Sequence, residues 1–225
     1  MGISTEISHI AKHFGKKTVL RDVSFSTSPG EGVGILGANG CGKSTLFSIL
    51  AGVLRPDGGS FTSDGVDLLK NSKARASRVG YVPQGTPLLE ELSARDNLLL
   101  WYTRDEMRDS LENGVLKMLG VGDFIGVTVS RMSGGMKKRL SIGCAVAENP
   151  QLLLLDEPTA ALDLVCKENI SAYLRDYKAA GGTIVIATHD VRELELCDRL
   201  FILKNGSLVP FEFDGDVERL VQNLL

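Results

Sequence analysis

Gly37-Ala38-Asn39-Gly40-Cys41-Gly42-Lys43-Ser44 lies between a short apolar run, Val33 to Leu36, and a segment patterned as a helix from about Lys43 to Gly52. Its spacing is that of the phosphate-binding loop GxxxxGK[ST], and a strand before it with a helix after it is the context that motif requires. Glycines let successive backbone N–H groups turn toward one anion, and the helix start adds the positive end of its dipole. Lys43 is then placed to reach the β- and γ-phosphates of a nucleotide and Ser44 to offer a hydroxyl to Mg2+. Gly37, Asn39, Gly40, Cys41, Gly42 and Thr45 line the same cradle.

Farther along, Leu152 to Leu155 reads as a fully buried parallel strand, and Thr183 to Ala187 repeats the pattern. Between them Cys166, Ile170, Tyr173, Leu174 and Tyr177 share one helical face, as a crossover helix covering a sheet requires. Asp156-Glu157-Pro158 follows the leucine run, so two carboxylates stand at the carboxyl end of a buried strand, where open α/β sheets bind ligands. Asp156 suits Mg2+, and Glu157 is placed to polarise the water that attacks the γ-phosphate.

On the amino-terminal side, Val19 to Thr27 reads as a strand ending at the Ser28-Pro29-Gly30 turn. Ser60 to Ser63 and Arg78 to Val82 are strand-like and are accompanied by the Pro56-Asp57-Gly58-Gly59 turn and a polar segment. From about 88 to 148 the pattern turns helical: Ser93 with Asp96 is a capping-box signature, and Leu111, Val115, Met118 and Leu119 recur at helical spacing. At the end, Asp216 caps a stripe of Val217, Leu220, Val221, Leu224 and Leu225, expected to be a helix docked on the core.

The chain has 225 residues, 43% hydrophobic and 24% charged, which is globular composition for one main domain, 1–225. A net charge of −3 creates no field that gathers nucleic acid, so no nucleic-acid partner is expected. Its apolar runs fall far short of the roughly 20 helical residues that cross a bilayer. Met1 to Glu6 has no signal-peptide pattern, so a cytoplasmic location is expected, with any membrane crossing left to another chain. Cys41, Cys144, Cys166 and Cys197 lack paired spacing and read as free thiols.

Arg131-Met132-Ser133-Gly134-Gly135-Met136-Lys137-Lys138-Arg139 narrows the P-loop possibilities, because it resembles the LSGGQ signature of the ABC ATP-binding cassettes. Ser133 with the N–H groups of Gly134 and Gly135 is a second helix-start anion site. The resemblance runs from Phe14 to about Asn205: Phe14 is similar to the aromatic that stacks on adenine, Gln84 to the Q-loop glutamine, Ala160 to Asp163 to the D-loop and His189 to the switch histidine. It implies a RecA-like P-loop NTPase with a mostly parallel sheet, an antiparallel amino-terminal β subdomain and an inserted helical subdomain. The core spans about 1–87 and 149–225, the helical signature subdomain about 88–148.

The resemblance further implies ATP and Mg2+ as cofactors, with Ser44, Gln84 and Asp156 at the metal and Glu157, His189 and Lys43 catalytic. It implies a second cassette facing head to tail, each phosphate loop against the other's signature, and transmembrane permease subunits that hold the chain at the cytoplasmic face of a membrane. Taken singly, Phe14 reads as a strand-end core aromatic, Gln84 as a turn residue after Pro83, and His189 as a loop residue before an Asp190-to-Glu193 capping box. Order and spacing favour the functional readings.

Lys137 to Arg139 read as a solvated helix face, and His9 and His13 match no motif. Met132 and Met136 replace the usual leucine and glutamine of the signature, Ala160 a frequent serine, and Phe14 the commoner tyrosine. The alternative is a soluble ABC ATPase of iron–sulfur assembly or of DNA and chromosome maintenance. Members of the chromosome class insert long coiled coils, whereas here about ninety residues separate Lys43 from Ser133 without sustained heptads.

Overall fold

The structure, a computed structural model, describes residues 2–160, 162–188 and 190–224. Among the described residues ten strands run in chain order: β1 Thr5–Phe14, β2 Lys17–Thr27, β3 Gly32–Leu36, β4 Gly58–Ser63, β5 Val66–Asp67, β6 Val79–Val82, β7 Leu152–Asp156, β8 Thr183–Ala187, β9 Arg199–Lys204 and β10 Ser207–Phe211. The helices are α1 Lys43–Ala51, α2 Ser72–Arg78, α3 Ala94–Leu98, α4 Arg104–Glu112, α5 Val115–Met118, α6 Gly134–Ala145, α7 Leu164–Ala179, α8 Val191–Leu194 and α9 Val217–Leu224.

The strands form one sheet in the order β5-β4-β1-β2-β10-β9-β3-β8-β7-β6. From β9 to β6 every neighbour is parallel, whereas β5, β4, β1 and β2 pair antiparallel and β10 returns antiparallel to β9. All residues of β3, β7 and β8 are buried, which is why they read as unbroken apolar runs rather than alternating ones.

Alternation along β7 divides the core in two. Leu152 and Leu154 pack with Leu46, Phe47, Ile49 and Leu50 of α1, together with Ile7, Ile10 and Phe61 of the antiparallel strands. Leu153 and Leu155 face the other way, toward Ile170, Tyr173 and Leu174 of α7 and toward Leu98, Leu116, Leu140 and Ile142 of the helical insertion. The insertion is thereby anchored on the sheet face opposite α1. Within it α3 and α4 carry reciprocal capping boxes, Ser93 with Asp96 and Thr103 with Glu106.

Two expectations change. Asp216 caps α9 as read, its Oδ1 accepting from Glu218 and Arg219 N–H at 2.9 and 3.1 Å. Leu220 is buried against Leu36, Leu194 and Ile202, but Val217 and Val221 are each 49% exposed, so only part of the stripe docks. Leu225 lies outside the described residues. The polar stretch before Arg78 is the helix α2, which buries no residue and is held by the Asn71 cap and by Arg75 donating to the carbonyls of Leu68 and Leu69. Among the described residues no helix is long and apolar enough to cross a membrane.

Candidate active site

Residues 37–42 join β3 to α1 at the carboxyl end of the parallel strands. Gly42, the residue before α1, takes φ 118°, a conformation that favours glycine, and a Cβ there would also crowd Val19 and Leu20 at 3.0 Å. The first turn of α1 contains no acidic residue, and helix-start N–H groups have no carbonyl above them, so this end presents donors and positive potential. Lys43 is buried and its ammonium donates to the carbonyls of Gly37 at 2.6 Å and Ala38 at 3.3 Å.

Gly37 is buried, Ala38, Asn39 and Gly40 are exposed, Cys41 and Thr45 are half-buried, and Ser44 is exposed. A recess of about 610 Å³ beside the loop is lined by residues including Lys17, Val19, Asn39, Cys41, Lys204 and Asn205. Phe14 is not in that lining. It ends β1 with half its surface exposed, the Lys12 ammonium 5.6 Å from its ring centroid, so it is not the core aromatic that its strand position alone suggests.

At the end of β7, Asp156 is 2% exposed. Burial raises its carboxyl above the ordinary carboxylate range; a hydrogen bond from Ser44 opposes the shift, Glu157 adds to it, and Lys43 and Lys138 pull back. Phosphate loop and acidic strand therefore meet through Ser44 and Asp156. Glu157 adopts φ 49°, a left-handed conformation that strains a non-glycine residue by about 1–3 kcal/mol, and its N–H is tied to the Ala187 carbonyl at 2.8 Å. Gln84 donates through Nε2 to Glu157 Oε2 at 3.0 Å, so residues 73 positions apart meet where the strands end.

Ser133 caps α6, its Oγ accepting from Met136 N–H at 3.3 Å. Ser133 and Gly134 are exposed, whereas Gly135 is buried, with Cys166 Sγ 2.7 Å from where its Cβ would stand. Asp163 in turn caps α7, accepting from Cys166 N–H at 2.9 Å. The signature thus rests on the start of the helix that follows the acidic strand. His189 and Ala161 lie outside the described residues.

Two buried charges were not among the expected site residues. Lys137 to Arg139 do not form a solvated face: Lys138 is 4% exposed, Lys137 pairs with Glu90 at 2.9 Å, and Arg139 lies over Phe124 and donates to the Leu119 carbonyl. The signal was present in the spacing, because Gly135, Lys138, Ser141 and Ile142 fall on the buried side of α6. Glu193 also departs from expectation. Asp190 caps α8, but the Glu193 carboxylate turns inward; burial raises its pKa, and the hydroxyls of Thr159 and Thr188 moderate the rise.

A phosphate-binding loop on a parallel sheet, with a buried aspartate and a strained glutamate at the next strand but one, defines a P-loop nucleotide-binding ATPase. The ABC transporter family model matches residues 20–160. The linearmycin resistance ATP-binding protein LnrL of Bacillus subtilis (strain 168) is 34% identical over 218 residues, covering 94% of this chain and 70% of the relative. The Nod factor export ATP-binding protein I of Sinorhizobium fredii (strain NBRC 101917 / NGR234) is 37% identical over 214 residues, 91% of this chain and 61% of its own length. A dimeric post-hydrolysis ATP-binding cassette bound to ADP and Pi superposes with a TM-score of 0.83 at 28% identity, covering 94% of this chain and all of that one. The chain belongs to the ABC transporter family and is an ATP-binding cassette of it. It spans between 61% and 70% of the length of the two relatives.

Proposed function

We propose that this chain is the ATP-hydrolysing motor subunit of a membrane exporter, working as one of two cassettes on the cytoplasmic face of transmembrane permease subunits. The observation that carries the catalytic part is the meeting of Ser44 with Asp156 and of Gln84 with Glu157 where the strands end. The direction follows the Nod factor export relative. Residues 1–87 and 149–225 form the nucleotide-binding core, and 88–148 the helical subdomain that carries motion toward the membrane partner.

In this reading the Lys43 ammonium exchanges the carbonyls of Gly37 and Ala38 for the β- and γ-phosphates, which the N–H groups of residues 40–45 also hold. Phe14, half exposed at the end of β1, stacks on the base. Glu157 orients the attacking water and accepts its proton, and His189 contacts the γ-phosphate. Ser133, Gly134 and Gly135 serve the nucleotide of the facing cassette, with their N–H groups at the start of α6.

The donor set fits Mg2+. Ser44 hydroxyl, Asp156 carboxylate and the Gln84 amide oxygen are hard oxygen donors, and the buried Asp156 carboxyl is one whose charge a cation would stabilise. Among the described residues no three His, Cys, Asp or Glu side chains gather as a closed metal site, which suits an ion completed by phosphate oxygens and water. Bound there, Mg2+ supplies neutralisation of charge on the β- and γ-phosphate oxygens.

The test is a mixed dimer. Lys43→Ala damages the phosphate loop and Ser133→Arg the signature, and each homodimer should be inactive. In a head-to-tail pair of the two variants one site inherits both lesions and the other neither, so the tagged, purified mixed dimer should regain ATPase activity. No rescue, together with activity in a wild-type chain paired with a doubly mutated one, would reject head-to-tail assembly.

A further inference from the structure

Lys138 occupies the second turn of α6, five residues beyond Ser133, and is buried among α6, the end of β6 and the acidic strand end. An ammonium withdrawn from water needs acceptors for its donors. Two are present: Nζ donates to the Pro83 carbonyl at 2.9 Å and to the Gln84 carbonyl at 3.2 Å. Burial lowers its pKa, and the charges of Asp156, Glu193 and Glu157 oppose that shift. The residue whose backbone it grips, Gln84, is the one whose side chain donates to Glu157. An unbroken series of contacts therefore runs from the signature through one helical turn to Lys138, to the Gln84 backbone, to the Gln84 amide and to the Glu157 carboxylate.

We propose that Lys138 is a positioning residue of the hydrolytic site, which holds the Pro83–Gln84 backbone so that the setting of the signature helix is transmitted to Glu157 of the same chain. The proposal rests on the reading of Glu157 as the base and deepens it. In a head-to-tail dimer the start of α6 answers to the partner's nucleotide, while Glu157 serves the chain's own. Lys138 then joins the two sites mechanically: displacement of α6 moves two carbonyls, and with them the amide that orients the base.

The experiment is a double-mutant cycle on the purified full chain, with kcat and KM from steady-state ATPase assays and ATP affinity from calorimetry. Lys138→Met keeps the aliphatic stem and removes the donors; kcat should fall about tenfold to a hundredfold, the scale of a misplaced catalytic group, with ATP affinity unchanged within about twofold. Lys138→Arg, which retains donors and charge, should recover much of the loss. In a Gln84→Ala background Lys138→Met should cost little more, because the relay is already cut. If Lys138→Met does not fold, Lys138→Leu, likewise without donors, replaces it in the same cycle. A wild-type kcat for the donor-free variant, or its full loss repeated in the Gln84→Ala background, overturns the relay. Glu157→Gln separates the two levels: wild-type turnover there sinks the base assignment itself, whereas inactive Glu157→Gln beside fully active Lys138→Met sinks the relay alone.

Discussion

Gly135→Ala probes whether the second signature glycine is demanded by packing within the chain or by what approaches from outside. The added Cβ would stand 2.7 Å from Cys166 Sγ and 3.6 Å from its Cβ, where ordinary carbon contacts are roughly 3.5–4.0 Å. Either the Cys166 sulfur leaves its rotamer or the start of α6 moves about 1 Å from α7, and the prediction is for the second. Overpacking of this kind costs about 1–3 kcal/mol, and the better helix propensity of alanine recovers about 0.8–1.0. A net loss of about 1 kcal/mol lowers Tm by roughly 2–4 °C in a chain of this size. Turnover should suffer more, because a displacement of about 1 Å can cost about a hundredfold. Thermal unfolding and ATPase assays read the two effects, and Gly135→Ala/Cys166→Ala discriminates. Deleting the sulfur opens the space at a cost of about 1 kcal/mol and should restore turnover. A double variant as inactive as Gly135→Ala would refute the packing argument and leave the glycine to an approaching phosphate.

Asp156→Asn should raise the Tm of the nucleotide-free chain at neutral pH while abolishing Mg2+-dependent turnover. Burial raises the folded-state pKa, so the charged carboxylate destabilises the fold above that pKa and the penalty fades as pH falls through it. The gain from asparagine should therefore shrink toward acid pH, and a lower Tm for the variant at neutral pH would contradict it. Among the cysteines, burial pushes Cys144 and Cys197 up to about 12 and Cys166 upward, which protects them from alkylation near neutral pH, whereas Cys41 lines the recess beside the phosphate loop. Mass spectrometry should find Cys41 modified first, with ATP protecting it and modification blocking ATP binding; full alkylation with normal binding would refute this.

The parallel core was legible because its strands are apolar on both sides: Thr183 to Ala187 is β8 to the residue, and Leu152 to Leu155 is β7 less its final aspartate. Helix α2 was not, since it buries nothing and shows no periodicity; its cap and the Arg75 contacts are properties of the folded loop. The meeting of Gln84 with Glu157, like that of Ser44 with Asp156, depends on strand order, which local pattern does not encode. Lys138 failed for a different reason. Reading three consecutive cations as solvent-facing follows composition, whereas helical spacing from Gly135 puts the middle one inside. The spacing of Glu193 from Asp190 allows a cap, but in the fold its carboxylate goes to two threonine hydroxyls in a buried site.

The leucine run of β7 is indifferent to its own alignment. Sliding the strand by one residue would exchange the half of the core that Leu152 and Leu154 face for the half that Leu153 and Leu155 face, leucine replacing leucine at three of the four positions. What distinguishes the native alignment is the polar residue at either end. A slip one way would carry Asp156 into the place of Leu155, leaving a carboxylate among hydrocarbon at a cost of several kcal/mol; a slip the other way would draw Gln151 into the place of Leu152. The carboxylate proposed for the metal also acts as the stop that keeps an otherwise uniform strand in line with Val79–Val82 and Thr183–Ala187. Substitutions at Asp156 should therefore be judged on the fidelity of folding as well as on turnover.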